Sequence, residues 1–530
     1  MNIAVRALLV SLLLEFFILL SSHLSLLSAA AGENFDVRQH LSTVTRYEVG
    51  KEANIGSYVS PAIPKECSPI HLNLVARHGT RSPTKKRIKE LDQLSVRLNE
   101  LINQAKQLEN NHLHKIPSWL PGWQSPWKGR QKGGELTTKG EEELYHLAMR
   151  VRVKFPELFK EEYHPDIINI RATQVPRASA SAVAFGIGLF SGNGTLGPGK
   201  HRAFSVISES RASDIFLRFF DTCETYKEYR KSQEPFVDML KEPILEEITA
   251  KLVKRYQLNF TRQNVASLWF LCKQEASLLD ITDQACGMFT ASEVELLEWT
   301  DDMELFILKG YGKSINYRMA VPLLRDVFQS MEEAISAKEE KLKPVTLEKA
   351  RLRFAHAETV VPFTCLLGLF LEGPEYTDGN SAFEQTQREE PLKLPPKPPQ
   401  HRNWRGSTVA PFAGNTMLVL FHCSSNSTQG ISTIQDYKSK YFVQVLHNEV
   451  PFPMPGCGNK DFCPLEVFKE GIVNPHLKHD FKSVCTLQSK APELLPSKFP
   501  MPKNCSIAYK LANLIWRFFS RDSFDQKNEL

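Results

Sequence analysis

Residues 70–83 of this chain are Ile70-His71-Leu72-Asn73-Leu74-Val75-Ala76-Arg77-His78-Gly79-Thr80-Arg81-Ser82-Pro83. The first half is a mostly apolar run that predicts a β-strand. After Pro83, apolar residues recur every three or four positions, which predicts an amphipathic helix opening near Lys85: Leu91, Leu94, Leu98, Leu101, Ala105 and Leu108. The polar loop therefore lies between a strand and a helix, where backbone N–H groups and the helix dipole favour an anion.

The polar loop places a histidine, His78, between Arg77 and Arg81. Two unpaired guanidiniums are costly to bury, but each presents a planar fork that matches phosphate oxygens. Gly79 allows the backbone to approach a ligand closely. These residues make phosphate chemistry the first hypothesis, with His78 as a potential nucleophile. The alternative is that His78 and its neighbours are structural or solvated groups at the end of a strand.

The pattern Arg-His-Gly-x-Arg-x-Pro resembles the signature of the histidine acid phosphatases, a family that includes phytases. The resemblance implies that His78 is phosphorylated covalently and that Arg77 and Arg81 grip the phosphate being transferred. It also implies a third arginine from a later segment, and a proton donor beside a second histidine.

A candidate for the third arginine follows the short strand run Ile167–Ile170. Arg177 stands at the start of a small-residue helical segment that extends to Phe190, and its position relative to the following residues resembles that of the family's phosphate-binding arginine. Arg171, at the end of the strand run, is the competing candidate. The alternative reading of either arginine is a surface group or a salt-bridge partner.

The second histidine is found in His356-Ala357-Glu358, between an apolar strand run that ends at Ala355 and a helix-like stretch that continues to Leu371. Most histidine acid phosphatases have His-Asp here. The glutamate resembles that of the multiple inositol polyphosphate phosphatase subfamily, which implies that Glu358 is the general acid and that His356 helps to bind the phosphate. The alternative is that His356 caps or packs, and that Glu358 only occupies a first helical turn favoured by the dipole.

The overall charge does not select a partner, because 65 Lys and Arg residues oppose 60 Asp and Glu residues. Locally, Lys85 and Lys86 follow the loop together with Arg87 and Lys89, and this basic cluster suits a substrate with several phosphates. Alternatively, these residues line the solvated face of the helix. The resemblance implies inositol polyphosphates as substrates, inositol hexakisphosphate included, and a further activity on 2,3-bisphosphoglycerate. No nucleic-acid partner is expected.

The chain contains no His-Glu-x-x-His, Cys-x-x-Cys or phosphate-loop motif, and we expect no cofactor and no metal. Three other functions stay open: a broad-specificity acid phosphatase, a phosphotransferase of the phosphoglycerate mutase type, and a secreted protein that binds polyanions without catalysis. The presence of both His78 and the His356-Glu358 pair disfavours the binding protein, since a binder needs no proton donor.

The two ends of the sequence predict entry into the secretory pathway. Residues 1–31 have an apolar run and a small-residue exit, which predicts a signal peptide, with a signal anchor as the alternative. No later segment has eighteen consecutive apolar residues, so no membrane span is expected in the mature chain. The end Lys527-Asn528-Glu529-Leu530 resembles an endoplasmic reticulum retrieval signal, which predicts a retrieval receptor as partner and a location in the lumen, or secreted or vacuolar. The alternative is a chance hydrophilic tail.

Cysteines and glycosylation sequons point to the same route. The ten cysteines are an even number spread along the chain, as in disulfide-bonded proteins, and the pairs Cys457–Cys463 and Cys272–Cys286 are near enough in sequence to close small loops. Four sequons predict N-glycosylation, at Asn193, Asn259, Asn426 and Asn504.

These patterns predict an α/β protein with the histidine-phosphatase fold, in which a mixed central sheet is flanked by helices and interrupted by a mainly helical inserted domain. Residues 32–210 and 344–460 form the two parts of the catalytic domain, 211–343 the insertion, and 461–530 the C-terminal tail. Two further strands are expected, at Met417–Phe421 and Tyr441–Leu446.

Overall fold

The computed structural model describes residues 35–53, 58–107, 113–340, 347–371, 397–399, 402–424 and 439–487. The predicted signal peptide, two sequon asparagines (Asn426 and Asn504) and the C-terminal four residues lie outside these ranges. Within them, no helix is both long and apolar enough to cross a membrane.

The strands form one mixed seven-stranded sheet in the order β2-β3-β1-β4-β5-β6, with β7 paired to β5. The central pairs β2–β3 and β3–β1 are parallel, whereas β1–β4 and β4–β5 are antiparallel. The strands are β1 Cys67–Arg77, β2 Ile168–Ala172, β3 Ala350–Ala355, β4 Asn415–Cys423, β5 Tyr441–His447, β6 Val450–Pro451 and β7 Phe462–Pro464. The predicted mixed sheet and its five predicted strands are confirmed.

Helices cover both faces of the sheet. They are α1 Tyr47–Ala53, α2 Lys85–Gln107, α3 Thr138–Lys154, α4 Pro176–Phe190, α5 Phe219–Thr222, α6 Glu224–Tyr256, α7 Arg262–Gln274, α8 Ala291–Lys309, α9 Ile315–Arg318, α10 Val321–Glu339, α11 Ala357–Leu366, α12 Gly406–Val409, α13 Leu465–Phe468, α14 Asn474–Leu477 and α15 Phe481–Cys485.

The alternation of side chains along β1 divides the core into two layers. Leu72 and Leu74 belong to the cluster that contains Phe185 of α4, whereas Val75 belongs to the cluster on the other face with Val327 of α10. The sheet is therefore buried on both faces, as its near-continuous apolar strands require.

The chain between α4 and β3 contains no strand among its described residues and carries helices α5–α10. Three of these helices, α6, α7 and α8, form a separate core with α2, which includes Leu91, Ile248, Leu268 and Leu297. Helix α10 instead packs on the sheet. The insertion thus builds a helical layer beside the sheet; the predicted domain boundaries stay a prediction.

Disulfides connect distant parts of the chain. Cys67–Cys423 joins β1 to β4, and Cys223–Cys485 ties the C-terminal helix α15 to the start of α6. The expected pairs Cys272–Cys286 and Cys457–Cys463 are confirmed. Among the described cysteines, Cys365 is a buried free thiol, and Cys505 lies outside the described residues.

Candidate active site

The site lies where three neighbouring parallel strands end at the same level. Arg77 at the end of β1 is in register with Ala355 of β3, and Ala172 of β2 is in register with Phe354. The backbone N–H of His78 donates to the Ala355 carbonyl at 3.0 Å. The carboxyl ends of parallel strands are the usual ligand sites of such sheets, and here they bring the three predicted motifs together.

The loop after β1 is held by a buried carboxylate. Glu143 of α3 accepts from the Thr80 N–H at 2.7 Å, from the Thr80 hydroxyl at 2.8 Å and from the Tyr47 N–H at 3.1 Å. Gly79 is required at its position because a Cβ there would lie 2.3 Å from the carbonyl oxygen of Gly140. The loop is thus pressed against the first turn of α3 and fixed before any ligand binds.

The orientation of His78 leaves one ring nitrogen available for nucleophilic attack. Its Nδ1 lies 2.9 Å from the carbonyl oxygen of Gly79, which can only accept, so Nδ1 carries the proton and Nε2 has a free lone pair. Burial, followed by the charges of Arg177 and Arg77, lowers the pKa of His78 well below its ordinary value. The imidazole is therefore neutral, as a nucleophile must be.

Arg77, Arg81 and Arg177 line one cleft with His78. Arg77 donates to the carbonyl oxygens of Thr43 and Ala410, the latter at 2.8 Å. Neither Arg77 nor Arg81 forms an ion pair with a carboxylate of the described residues, and the buried Nε of each has no hydrogen-bond partner there. Burial and then Arg177 lower the pKa of Arg81 to about 9, and burial lowers that of Arg77 to about 10. The cleft thus concentrates positive charge at the nucleophile.

Helix α4 delivers the third arginine of this group. Arg177 is the second residue of α4, after Pro176, and its carbonyl accepts from the Ser181 hydroxyl at 2.7 Å. The same hydroxyl accepts from the Gly79 N–H at 3.1 Å, which ties α4 to the loop after β1. The competing candidate, Arg171, bonds to the side chain of Asn169 instead and does not line the cleft.

His356 lies beside His78, with ring centroids 5.6 Å apart. It is the N-cap residue of α11, and its Nε2 is 3.1 Å from Nη1 of Arg218 and 2.9 Å from the Thr173 hydroxyl. A guanidinium can only donate, so Nε2 accepts and Nδ1 carries the proton. Burial, followed by Arg177, lowers the pKa of His356 well below its ordinary value. Arg218, which Asp221 holds in place, was missed by the sequence analysis.

Glu358 follows in the first turn of α11 and lines the same cleft. Its Oε1 lies 2.9 Å from Nζ of Lys309, the last residue of α8. Burial raises the pKa of Glu358, but the charge of Lys309 outweighs this effect and brings the pKa far below its usual range. The predicted proton donor is therefore an ion-paired carboxylate, and its partner is a second residue that the sequence analysis missed.

The helical insertion forms one wall of the cleft. Its charged residues in the cleft are Arg230, Lys273, Asp301, Glu304 and Lys309. Lys273 contacts Asp301 at 2.6 Å, and Glu304 contacts Lys241, which does not line the cleft.

One residue of the predicted basic cluster after Pro83 lines the cleft. Arg87 lines it and stacks over Phe270, with Cζ 4.7 Å from the ring centroid. Lys85 and Lys86 are exposed at the start of α2 and are not among the residues that line the cleft. A role for these two lysines in binding phosphate stays a prediction.

Sequence comparison connects this geometry to a family. The sequence profile of the histidine phosphatase superfamily (branch 2) matches residues 70–448, a range that includes all three strand ends of the site. Multiple inositol polyphosphate phosphatase 1 of Homo sapiens is 27% identical over 427 residues, which cover 78% of this chain and 82% of the relative. The Gallus gallus protein of the same name is 26% identical over 434 residues, with 80% and 86% covered.

Solved structures show the same fold. The phytase from D. castellii aligns with a TM-score of 0.60 and 16% identity over 86% of this chain and 88% of that protein. The multiple inositol polyphosphate phosphatase of Bifidobacterium longum, in complex with inositol hexasulfate, aligns with a TM-score of 0.57 and 17% identity over 83% and 98% of the two chains.

Proposed function

This chain belongs to branch 2 of the histidine phosphatase superfamily, and we propose that it removes phosphate from inositol polyphosphates, inositol hexakisphosphate included, through a phosphohistidine at His78. The observation that carries this proposal is the neutral His78, whose free Nε2 lies in a cleft with three arginines. Charge-assisted, bidentate hydrogen bonds from guanidiniums match the oxygens of a transferring phosphoryl group.

The reaction proceeds in two displacements. Nε2 of His78 attacks phosphorus as the bond to the ester oxygen breaks, and a proton from Glu358 passes to that oxygen, which leaves as the alcohol. Water then attacks the phosphohistidine and gives a proton to the carboxylate of Glu358, the nitrogen–phosphorus bond breaks, and inorganic phosphate departs. Arg77, Arg81 and Arg177 stabilise the equatorial oxygens in both transition states.

The substrate class is supported by the relatives and by the cleft itself. The relatives aligned above are named for inositol polyphosphates, and the Bifidobacterium longum enzyme binds inositol hexasulfate. Beyond the three arginines, the wall formed by the helical insertion adds Arg230, Lys273 and Lys309. Cations on two walls suit a compact ring that carries phosphates in several directions.

A first experiment tests the phosphatase directly. The purified protein, incubated with inositol hexakisphosphate and a chelator at mildly acidic pH, is expected to release inorganic phosphate. His78→Ala should abolish the release, while His146→Ala, which changes an exposed histidine of α3, should not. Equal release by wild type and His78→Ala would refute the phosphohistidine.

A second experiment tests Glu358 as the proton donor. Glu358→Gln should slow the hydrolysis of alkyl phosphates more than that of aryl phosphates. The alkoxide that leaves an alkyl phosphate needs a proton, whereas the phenolate that leaves an aryl phosphate does not. Equal slowing of both classes would assign the proton to another group.

For the location, we propose the secretory pathway with retrieval to the endoplasmic reticulum. The proposal is supported by four disulfides, by the exposed sequon residues Asn193 and Asn259, and by the resemblance of Lys527–Leu530 to a retrieval signal. In a eukaryotic host, the protein should carry glycosidase-sensitive glycans, and deletion of the last four residues should increase its secretion. Unglycosylated protein in the cytosol would contradict the proposal.

A further inference from the structure

The ion pair between Lys309 and Glu358 joins the helical insertion to the catalytic sheet. Lys309 ends α8, Glu358 stands in the first turn of α11, and both side chains line the cleft. The side chains are 21% and 14% exposed, so the pair is accessible to a substrate but largely shielded from bulk water.

This pair conflicts with the role of a proton donor. A carboxylate that contacts an ammonium at 2.9 Å is stabilised in its charged form and gives up no proton. Other charged or titratable groups face it: Tyr226 and Arg230 from α6, His356 before α11, Arg77 at the end of β1 and Arg81 in the loop after it. Among the described residues, Lys309 is the cation recorded in direct contact with Glu358, and it is the partner that must leave before the acid can work.

We propose that Lys309 is a substrate-operated switch, which binds a second phosphate of the substrate and thereby frees Glu358 to take up a proton. The inference rests on the proposed function, because it concerns the donor of that same reaction. Lys309 acts through Glu358 and is a positioning and specificity residue, not the group that transfers the proton.

The charges of the cleft favour this exchange. A phosphate monoester carries up to two negative charges against one on the carboxylate, and Lys273 and Arg230 lie on the same wall to help hold it. Once Lys309 turns to the phosphate, Glu358 loses its cation and gains an anionic neighbour, and both changes raise its pKa. Glu358 then takes a proton from solvent and passes that proton to the leaving oxygen. The source of the proton that the leaving group needs is thus accounted for.

Because of this switch, the number of phosphates on the substrate affects the rate of the chemical step as well as the binding affinity. A monophosphate ester has no second phosphate to draw Lys309 away, so Glu358 stays ionised and an alkoxide leaves slowly. An aryl phosphate needs no proton and escapes this control. The enzyme thereby discriminates by substrate charge at a step after binding.

The test compares wild type with Lys309→Met on three substrates. With glycerol 2-phosphate, the fall of kcat/KM at high pH should begin at a higher pH in Lys309→Met than in wild type. On this high-pH limb, kcat/KM should also rise, by roughly tenfold for each unit by which the pKa of Glu358 increases. With inositol hexakisphosphate, KM should rise while kcat changes little. With p-nitrophenyl phosphate, the high-pH limb of kcat/KM should lie at the same pH in Lys309→Met as in wild type.

Lys273→Met is the matched control, because Lys273 lines the same wall but pairs with Asp301. It should raise KM for inositol hexakisphosphate and leave the pH profile for glycerol 2-phosphate as in wild type. Lys309→Gln replaces the methionine variant if that protein does not fold, and Lys309→Arg should retain the wild-type selectivity.

Two failures are distinguishable. If wild type releases phosphate in a His78-dependent reaction but both neutral Lys309 variants keep the wild-type pH limb, the switch is wrong and the proposed function stands. If wild type releases no phosphate from inositol hexakisphosphate, the proposed function itself fails.

Discussion

Two groups of arginines lie in or beside the same sheet and differ in what neutralises them. In the paired group, Arg351 and Arg353 of β3 share the carboxylate of Asp326, and Arg353 also donates to the Asn73 side chain at 2.8 Å. In the site group, Arg77, Arg81 and Arg177 line the cleft at the ends of the strands. Arg77 and Arg81 form no ion pair with a described carboxylate.

Burial alone does not distinguish the two groups. Arg353 is 1% exposed and Arg77 is 5% exposed, and burial lowers the pKa of each to about 10. What differs is the origin of the counter-ion. A charge neutralised from within the fold contributes to structure, whereas a charge left for an external anion forms a binding site, and its cost is offset when that anion binds.

The largest effect is expected from breaking the paired group. Asp326→Ala leaves the buried guanidinium of Arg353 without its carboxylate, whereas Arg351 keeps its contacts with Glu333 and Glu348. The free energy of unfolding should fall by about 3–5 kcal/mol. Denaturant unfolding measures the change. The double variant Asp326→Leu with Arg353→Met removes both charges and should recover much of the loss; no recovery would mean that packing, not charge, sets the cost.

The opposite pattern is expected in the site group. Arg81→Met should reduce kcat/KM by about 10²–10³-fold, or about 2.7–4 kcal/mol of transition-state stabilisation. The free energy of unfolding of Arg81→Met should equal or exceed that of wild type, because the substitution removes a poorly neutralised charge. Arg81 is a cleaner choice than Arg77, which also holds the carbonyl of Ala410. A loss of stability as large as that of Asp326→Ala would make Arg81 structural.

The sequence predicted those parts of the site that are local in the chain. His78 and its arginines are contiguous, and Arg177 and His356 each follow a short strand run, so a strand-then-helix pattern sufficed to find them. The strands at Met417 and Tyr441 were predictable because they are apolar runs of the right length.

Residues that reach the site through tertiary packing could not be predicted. Lys309 looks like an ordinary cation in a last helical turn, and Arg218 lies in the otherwise apolar run of residues 215–220 at the start of α5. A single helical position separates Arg87, which enters the cleft, from Lys86, which does not. The helix predicted to continue to Leu371 ends at Leu366, where Gly368 and Phe370 adopt positive φ angles of 74° and 61°.

A smaller effect should appear when an anion is supplied. Sulfate at about 100 times its Kd should raise the free energy of unfolding of wild type by about 2.7 kcal/mol. Thermal unfolding with and without sulfate measures this gain. Arg81→Met should lose most of it, while Arg351→Met, in the paired group, should keep it. An equal gain in all three proteins would show that sulfate acts by general exclusion from the surface and not at the cleft.

The smallest effect concerns protons. The site arginines contribute to the low pKa of His78, after burial, so an anion that cancels their field should raise that pKa. Below about pH 6.5, the bound form then holds more protons than the free form, and sulfate affinity should increase as pH falls, by at most about tenfold per pH unit for one proton. Sulfate does not titrate in this range, so calorimetry in buffers of different ionisation enthalpy measures the uptake by the protein. His78→Ala should take up fewer protons. Equal proton uptake by wild type and His78→Ala would mean that the bound anion leaves the pKa of the histidine unchanged, and that the site group is not neutralised in the way the paired group is.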